Sequence, residues 1–588
     1  MKKTWTNTAY MLRLIWKTTP SYVLLEFLQG IIMGTWGSAD VVFVKLFYDC
    51  VSQNRSFAEA AGIIAGMVGV TVLSQWWFQW YRNVKKPILQ QKTAYAMNKS
   101  LFEKAKTLDL ACYDNPDYYN DFVWAMNQSD SQAAALLNTI SNAVTMLVTM
   151  VTTTAVISTV SPVLALLAIA SAVVSILLNR HITKVDFDGN TEKNPVSRKC
   201  SYYERIFSTP DYAKEIRIEH VDEVITDKYD KSLRDIRSIS EKFNFRRMKY
   251  RLPLSIISDL MQPIVYIILL YQIMITRTTD LGGLAVAFSA FWNLRGRLQS
   301  FVTLITRLPE HALYTEKVRT FLNSQPKISS GVLEVPAFES LELKNISFAY
   351  SKDVPVLYDI NLTIRKGEKV AIVGYNGAGK TTLVNLLMHL YEPTAGQIEI
   401  NGKPIGEYNT ASWQNRISAV FQDYRIFALS VAENVLCGTF ESSDGKKVEK
   451  ALEYAAFDNK FPELENGVRT ELTREFYEDG TNLSGGESQK IAIARIFAEN
   501  NDLIIMDEPS SALDPMAEYR INRNIMEYAK DKTVIMISHR LSTTRDADRI
   551  YMFEDGQIIE TGSHEELMKA DGKYAEMFRI QAEKYIEV

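Results

Sequence analysis

The apolar positions divide this chain into two unlike stretches. Up to about residue 320, mostly apolar runs alternate with long charged connectors; beyond it, short β-branched runs alternate with helical patterns. A helix needs roughly 20 mostly apolar residues to cross the ~30 Å core of a bilayer. Six segments meet that need, at about 20–47, 59–81, 133–159, 161–180, 252–276 and 282–306. The fourth is the cleanest, with an unbroken apolar run from Val163 to Ala170. The third is softened by Thr145, Thr149 and Thr152 to Thr154, whose hydroxyls can bond back to helix carbonyls. The pattern predicts a six-helix, all-α transmembrane domain over 1–325, a linker over 326–340 and an α/β domain over 341–588.

The connectors, about 82–130 and 181–250, are charged and helix-favouring, so their helices should run well beyond the bilayer. Each contains a turn-rich break, Cys112-Tyr113-Asp114-Asn115-Pro116-Asp117 and Ser208 to Glu215. Proline disfavours helix in the residue before it, and Asp or Asn caps the next helix. A short crosswise element is predicted near 112–117 and another near 208–216, each either docking against the other half or forming a surface turn.

Charge orients the spans. Arg82, Lys85, Lys86, Lys92, Lys99, Lys104 and Lys106 follow the second span; the turn between spans three and four has no Lys or Arg, and that between five and six only Arg277. The positive-inside bias places both termini, the connectors and the α/β domain in the cytoplasm of a cell membrane, of bacterial plasma-membrane type. At 588 residues the chain is too long for one core, and its net charge of −4 carries no single-sign run that would suggest nucleic acid. The four cysteines are scattered without metal-ligand spacing. Residues 1–5 do not open a signal peptide, so membrane targeting is expected from the spans themselves.

In the second half, Val370 to Val373 is a buried-strand run leading into Gly374-Tyr375-Asn376-Gly377-Ala378-Gly379-Lys380-Thr381-Thr382, followed by a helix to about Leu390. Strand, glycine loop and helix are the context a phosphate-binding loop requires: glycines aim backbone N–H groups inward as an anion nest at a helix N-terminus. Lys380 would reach the β- and γ-phosphates, and the Thr381 hydroxyl would ligate Mg²⁺. A second apolar strand, Leu503 to Met506, delivers Asp507 and Glu508 at its C-terminal edge. Asp507 is the second Mg²⁺ candidate and Glu508 the base that polarises the attacking water.

With these pieces the chain resembles an ABC transporter half-unit of the exporter type, in which an all-α transmembrane domain is fused to an α/β P-loop ATPase. Leu483-Ser484-Gly485-Gly486-Glu487 resembles that family's signature motif, although glutamine is commoner where Glu487 stands. The resemblance implies that Ser484, Gly485, Gly486 and Glu487 close over the ATP of a partner subunit, so that two chains trap two ATP molecules. A homodimer is favoured over a heterodimer. Tyr350 resembles the aromatic that stacks on adenine, with a core tyrosine as the alternative. Gln422 resembles the glutamine that touches Mg²⁺ and water, Asp514 the residue linking the two sites, and His539 the switch histidine at the γ-phosphate. The remaining histidines, His389 among them, carry no assigned role. Glu475 to Gly480 matches only loosely the family's loop that senses the coupling helices.

Cargo is the open question. Arg295 and Arg297, near the middle of the sixth span, cost about 2.5–3.5 kcal/mol each to insert and so should face a wet cavity or a partner. At about 100° per residue they lie roughly 200° apart, which suggests one on a substrate path and one paired with Asp259 of the fifth span. Two helix-locking ion pairs are the alternative. Glu26, Asp40 and Lys45 are further polar residues of the first span; Trp76, Trp77 and Trp80 read as interfacial anchors. ATP-driven export of a peptide or other amphipathic compound is expected, with a lipid flippase or an importer as alternatives and an ATP-gated channel behind them. A soluble ABC ATPase of DNA maintenance or translation conflicts with six spans. A leader-cleaving exporter is not expected, since no Cys/His peptidase-like segment precedes the first span.

Overall fold

The structure is a computed structural model that describes residues 2–586 apart from 54, 210–211, 278, 280, 326–327, 352–353, 510–512 and 539–543. The chain forms two compact units. The first is Met1–Lys106 with Asp117–Ser324; the second is Gln325–Val588 together with the short segment Thr107–Pro116.

The first unit is helical throughout. It holds α1 (Lys2–Thr18), α2 (Pro20–Ser52), α3 (Phe57–Trp80), a π-helical turn (Tyr81–Lys85) and α4 (Lys86–Ala105). After α5 (Ala111–Asp114), which belongs to the second unit, come α6 (Pro116–Val160), α7 (Pro162–Ser208), α8 (Ala213–Ile218), α9 (Asp222–Met274) and α10 (Leu281–Asn323). Among the described residues, five helical stretches are long and apolar enough to cross a membrane: Pro20–Ser52, Phe57–Ala105, Ser131–Thr159, Pro162–Ser208 and Asp222–Met274. The sixth expected segment lies on α10, parts of which fall outside the described side chains.

Proline behaves as expected at Pro20, Pro116 and Pro162, each the first residue of its helix. At Pro195, Pro253, Pro263 and Pro309, all exposed, the helix runs on through the proline. One apolar core gathers Val41 of α2, Ile157 of α6, Leu164 and Ala168 of α7, Val265 and Leu269 of α9, and Ala290, Phe291 and Leu294 of α10.

Small residues set the approach of α2 to α6. A Cβ on Gly34 would lie 2.6 Å from the Val148 Cβ, and one on Gly30 would lie 2.8 Å from the Ser141 carbonyl oxygen. Thr149 Oγ1 donates to the Gly34 carbonyl at 3.0 Å, across the helices, and also to its own helix at Thr145. The spacing Gly30, Gly34, Ser38 is the small-residue repeat by which membrane helices meet closely. Gly34→Val should therefore unseat α6, at a cost of about 1–3 kcal/mol. A lowered thermal midpoint in detergent checks this; an unchanged midpoint would refute the close contact.

The second unit is α/β. An antiparallel sheet, in the order β2-β1-β4-β5, is built from β1 (Ser340–Ser351), β2 (Val354–Arg365), β4 (Ala395–Ile400) and β5 (Lys403–Pro404). A second sheet has the order β10-β9-β3-β8-β7-β6, from β3 (Lys369–Gly374), β6 (Ile417–Val420), β7 (Leu503–Asp507), β8 (Thr533–Ile537), β9 (Arg549–Glu554) and β10 (Gln557–Gly562). Its strands from β9 to β6 are parallel. The helices are α11 (Lys380–Leu387), α12 (Thr410–Gln414), α13 (Val431–Leu436), α14 (Gly445–Tyr454), α15 (Gly485–Ala498), α16 (Pro515–Tyr528), α17 (His564–Ala570) and α18 (Lys573–Ile586). β3, β7 and β8 are buried along their length, as strands of a parallel sheet covered on both faces must be.

Candidate nucleotide site

Sheet register assembles the site. Ile372 of β3 pairs with Ile537 of β8, which pairs with Asp507 of β7, so the phosphate loop and the acidic pair leave the sheet at one edge. Ligands of open α/β sheets bind outside that carboxyl edge. Next to it, Val420 of β6 pairs with Met506 of β7. Two residues further along each chain stand Gln422 and Glu508, and Gln422 Nε2 donates to Glu508 Oε2 at 3.2 Å. Glu508 has φ +50°, an uncommon conformation for a non-glycine residue, with its N–H held by the Ile537 carbonyl at 3.0 Å.

The glycine loop needs its glycines. Gly374 has φ +152°, and a Cβ there would sit 2.3 Å from the Phe553 carbonyl oxygen; one on Gly379, at φ +94°, would sit 2.6 Å from Leu357 Cδ2. Around Gly377, at φ +83°, an added Cβ meets nothing within 4 Å, so this stretch of backbone faces open space. Asn376 is exposed, Ala378 is buried, and α11 begins at Lys380. Lys380 is only 6% exposed and donates Nζ hydrogens to the Gly374 and Tyr375 carbonyls at 2.8 and 2.9 Å. Burial lowers its pKa, while the charges of Glu508 and Asp507 oppose that shift.

Asp507 is 3% exposed. Burial holds its carboxyl above the usual range; the Thr381 hydroxyl, which bonds to it, lowers it, and the Glu508 charge raises it again. A buried carboxylate against a threonine hydroxyl is a hard-oxygen pair suited to Mg²⁺. The sign follows from linkage: a carboxyl whose folded pKa is raised costs stability as pH climbs from the ordinary carboxylate value through the folded one, and the cost is complete above it. Asp507→Asn should thus raise the thermal midpoint of the nucleotide-free protein at neutral pH, and this gain should vanish below the carboxylate range. The same change should remove ATPase activity, by about 10²-fold or more. Thermal scans across pH, paired with phosphate release, check both halves.

The remaining predicted residues are placed as follows. Tyr350, half-exposed at the end of β1, shares a 3.1 Å hydrogen bond with Thr382 Oγ1. Ser484 caps α15: its Oγ accepts from the Glu487 N–H at 3.3 Å, while Glu487 Oε2 accepts from the Ser484 N–H at 2.7 Å. Glu487 thereby closes a capping box, as glutamine also can. Burial alone would raise the Glu487 carboxyl, but the Ser484 bonds and nearby Lys460 and Lys490 hold it below its usual value. Gly485 is exposed at the first turn, and Gly486 is half-buried beside it. Asp514 caps α16, accepting from the Met516 and Ala517 N–H groups at 3.1 and 2.9 Å. His539 lies outside the described residues.

Two residues of this unit escaped the motif reading. Tyr424 donates from its hydroxyl to the Gly485 carbonyl at 2.8 Å, tying the Gln422 segment to the start of α15. Tyr391, just past α11, packs its ring 5.3 Å from that of Tyr350. Tyr424 follows Gln422 by two positions and could have been flagged by proximity; Tyr391 carries no motif signal.

The family description ABC transporter matches residues 357–511, the stretch that holds the glycine loop, the signature string and the acidic pair. The subtilin transport ATP-binding protein SpaT of Bacillus subtilis is 29% identical over 495 residues, which is 83% of this chain and 80% of that protein. Residues 357–511 thus form an ABC transporter ATPase domain. A putative multidrug export ATP-binding/permease protein of Staphylococcus aureus is 42% identical over 242 residues, so the matched stretch spans only 41% of each chain. A solved bacterial Atm1-family ABC exporter with ATP bound shares the fold, with a TM-score of 0.78 over 95% of this chain and 98% of that one, at 22% identity. This ABC transporter is an exporter-type half-unit: a multi-pass helical membrane region precedes one nucleotide-binding ATPase domain, and ATP hydrolysis drives transport.

In the transporter's helical unit the two arginines of α10 separate. Arg295 lies over the Trp292 ring at 4.7 Å, and Asp259 acts on it only through space, without a direct ion pair among the described residues. Arg297 instead reaches α2: a Cβ on Gly37 would lie 3.3 Å from its Nη2. Glu26, almost fully buried, pairs with Lys86 at 2.8 Å. Lys45 donates to Thr159 Oγ1 at 2.9 Å. Trp77 donates its indole N–H to Gln29 Oε1 at 2.6 Å, so it bridges α3 to α2 rather than only facing the lipid interface.

Proposed function

We propose that two such chains, identical or related, close head to tail over two ATP molecules and export a peptide or other amphipathic organic compound from the cytoplasm. The observation that carries the dimer is the presence of two phosphate-suited helix starts in one chain. α11 already brings a lysine and an anion nest, while α15 begins with an exposed Ser484–Gly485 turn locked by its capping box. The second start is then available to the nucleotide of another subunit. Tyr350 would stack on adenine; Asn376 to Thr382 would wrap the phosphates; Ser484, Gly485, Gly486 and Glu487 would close over the partner's nucleotide, beside Asp514. Thr381, Asp507 and Gln422 would hold Mg²⁺, which supplies charge neutralisation on the phosphates. Glu508 would take the proton from the attacking water, with His539 at the γ-phosphate.

Both termini and the connectors would lie in the cytoplasm of a bacterial plasma membrane, with domain limits at 1–325, 326–340 and 341–588. The relatives are named for subtilin transport and for multidrug export, which supports an organic cargo. Arg295 and Arg297 would meet that cargo or brace its path, with Asp259 nearby. A lipid cargo is the second reading, favoured by a mainly apolar groove of about 480 Å³ between α2 and α3 lined by Ile32, Trp36, Val70, Leu73, Trp76 and Trp77. A screen of peptides, amphipathic drugs and lipids for ATPase stimulation in nanodiscs decides between them. Stimulation by lipids alone would overturn the leading cargo; accumulation in inverted vesicles that needs no ATP would overturn the pump.

A further inference from the structure

The start of α2 and the turn after α3 hold a charged cluster that the nucleotide chemistry does not use. Glu26 of α2, only 2% exposed, pairs with Lys86 Nζ at 2.8 Å, and Lys86 also donates to Asn138 Oδ1 of α6. Two buried phenols feel the Glu26 charge: Tyr22, one turn before it on α2, and Tyr81, just past α3. No hydrogen bond closes on either hydroxyl. Two phenolic donors beside a buried ion pair, both without an acceptor, leave capacity for the oxygens of a ligand.

The local backbone turns these groups the same way. Pro87 has no N–H and crowds the turn before it. The chain passes it through the π-helical turn Tyr81–Lys85, in which the Lys86 N–H reaches the Tyr81 carbonyl five residues back. Residues five apart point about 140° apart on an ordinary α-helix; the wider turn brings Tyr81 and Lys86 round to Glu26 together.

From this charged end an apolar strip runs along the same two helices. Trp77, one turn before Tyr81, stacks on it at 6.5 Å and donates its indole N–H to Gln29, one turn past Glu26. Beyond them lies the groove of about 480 Å³ between α2 and α3, which reaches Trp36 and Ala39. It opens on a side of α3 where Leu73 and Trp76 are exposed. Glu26 to Trp36 is about 15 Å of helix, half of the ~30 Å hydrocarbon core. A ligand filling the strip therefore has a charged head and an apolar tail about one leaflet long.

The charge of the head follows from the pair. Glu26 and Lys86 cancel, so a cation would strand Lys86 and an anion would strand Glu26, and a buried charge without a partner is strongly unfavourable. A zwitterion strands neither. Its ammonium meets Glu26 through N–H donors, and its anionic oxygens meet Lys86 and the hydroxyls of Tyr22 and Tyr81. We propose that this site binds a phospholipid with a zwitterionic, primary-amine headgroup from the leaflet beside the start of α2, its tail lying in the groove. The site serves equally for a lipid that is carried and one that is kept, so it stands apart from the cargo reading above.

The test uses the full chain, delipidated in detergent, with phosphatidylethanolamine, phosphatidylcholine or phosphatidylglycerol of identical acyl chains added back. Native mass spectrometry reads retention, and a thermal scan reads the midpoint. Phosphatidylethanolamine should be retained about tenfold more tightly than the other two, the worth of one hydrogen bond to a charged group, and should raise the midpoint. Glu26→Gln should erase the preference. Breaking a buried pair destabilises strongly, so the second variant is Tyr22→Phe with Tyr81→Phe, which removes only the two unbonded hydroxyls. It should hold or raise the midpoint of the delipidated protein and cut the preference for phosphatidylethanolamine. Equal retention of the ethanolamine and choline lipids, or a preference for phosphatidylglycerol, would overturn the zwitterion site. A preference that survives both variants would do the same. A double phenylalanine variant that melts lower without lipid would show the hydroxyls already bonded, and the site falls. Glycerophosphoethanolamine, the same head without tails, should leave the midpoint unmoved at equal concentration; if it raises it, the ligand is a soluble zwitterion and the lipid assignment fails.

Discussion

Replacing Glu508 with glutamine is expected to lower ATP turnover by about 10²–10⁴-fold, the range supplied by a positioned general base, while leaving ATP binding in place. The geometry makes this substitution informative. Glu508 sits two residues beyond the Val420–Met506 register, where Gln422 Nε2 donates to its Oε2 at 3.2 Å. Glutamine at 508 keeps the volume and can still accept from Gln422, so the loop need not rearrange. What it loses is the capacity to take a proton from water. Lys380 and Thr381 lie on α11 and are untouched, so phosphate binding should persist. The expected readout is normal ATP affinity by equilibrium binding, loss of phosphate release, and a long-lived ATP-bound species. Unchanged phosphate release would remove Glu508 from the base role.

The second large effect concerns subunit composition. A chain with Lys380→Ala and a chain with Gly485→Asp should each be inactive when pure: the first lacks its phosphate lysine, and the second carries a bulky negative charge where α15 should meet a phosphate. Co-expressed and purified with two different tags, the mixed dimer should recover one working site. In a head-to-tail arrangement the glycine loop of the Gly485→Asp chain faces the intact Ser484–Gly485 turn of its partner, and both defects fall together in the other site. Occlusion of one ATP per mixed dimer supports the composite reading. Failure of the mixed dimer to occlude any ATP, with both chains folded, would mean that each chain's two motifs serve the same nucleotide.

Legibility differed between the halves for physical reasons. A phosphate loop must be contiguous, because successive backbone N–H groups form the nest, so the string from Gly374 to Thr382 announced its chemistry directly. Long apolar runs announced membrane helices in the same way, since every backbone group in lipid must be satisfied within its own helix. The contacts between α2 and α6 were less visible. Thr145 and Thr149 were read as hydroxyls bonding within their own helix, which they do, but Thr149 also donates across to Gly34. The roughly 200° between the two arginines of α10 is legible from helix periodicity alone. Their partners, a tryptophan ring for Arg295 and the Gly37 backbone region for Arg297, could not be read from spacing along one helix.

By itself, the sequence determined the order of a helical membrane region and an ABC ATPase, because apolar run length and glycine-loop spacing are local properties of the chain. Only the tertiary structure decided that Gln422 meets Glu508, that Tyr424 holds the start of α15, and that Tyr391 and Glu392 grip Asp114 and Ser329. Such pairs lie between 61 and 277 residues apart, and nothing local specifies them. They follow from strand register and from the packing of α11 against the sheet, which exist only once the whole core has closed.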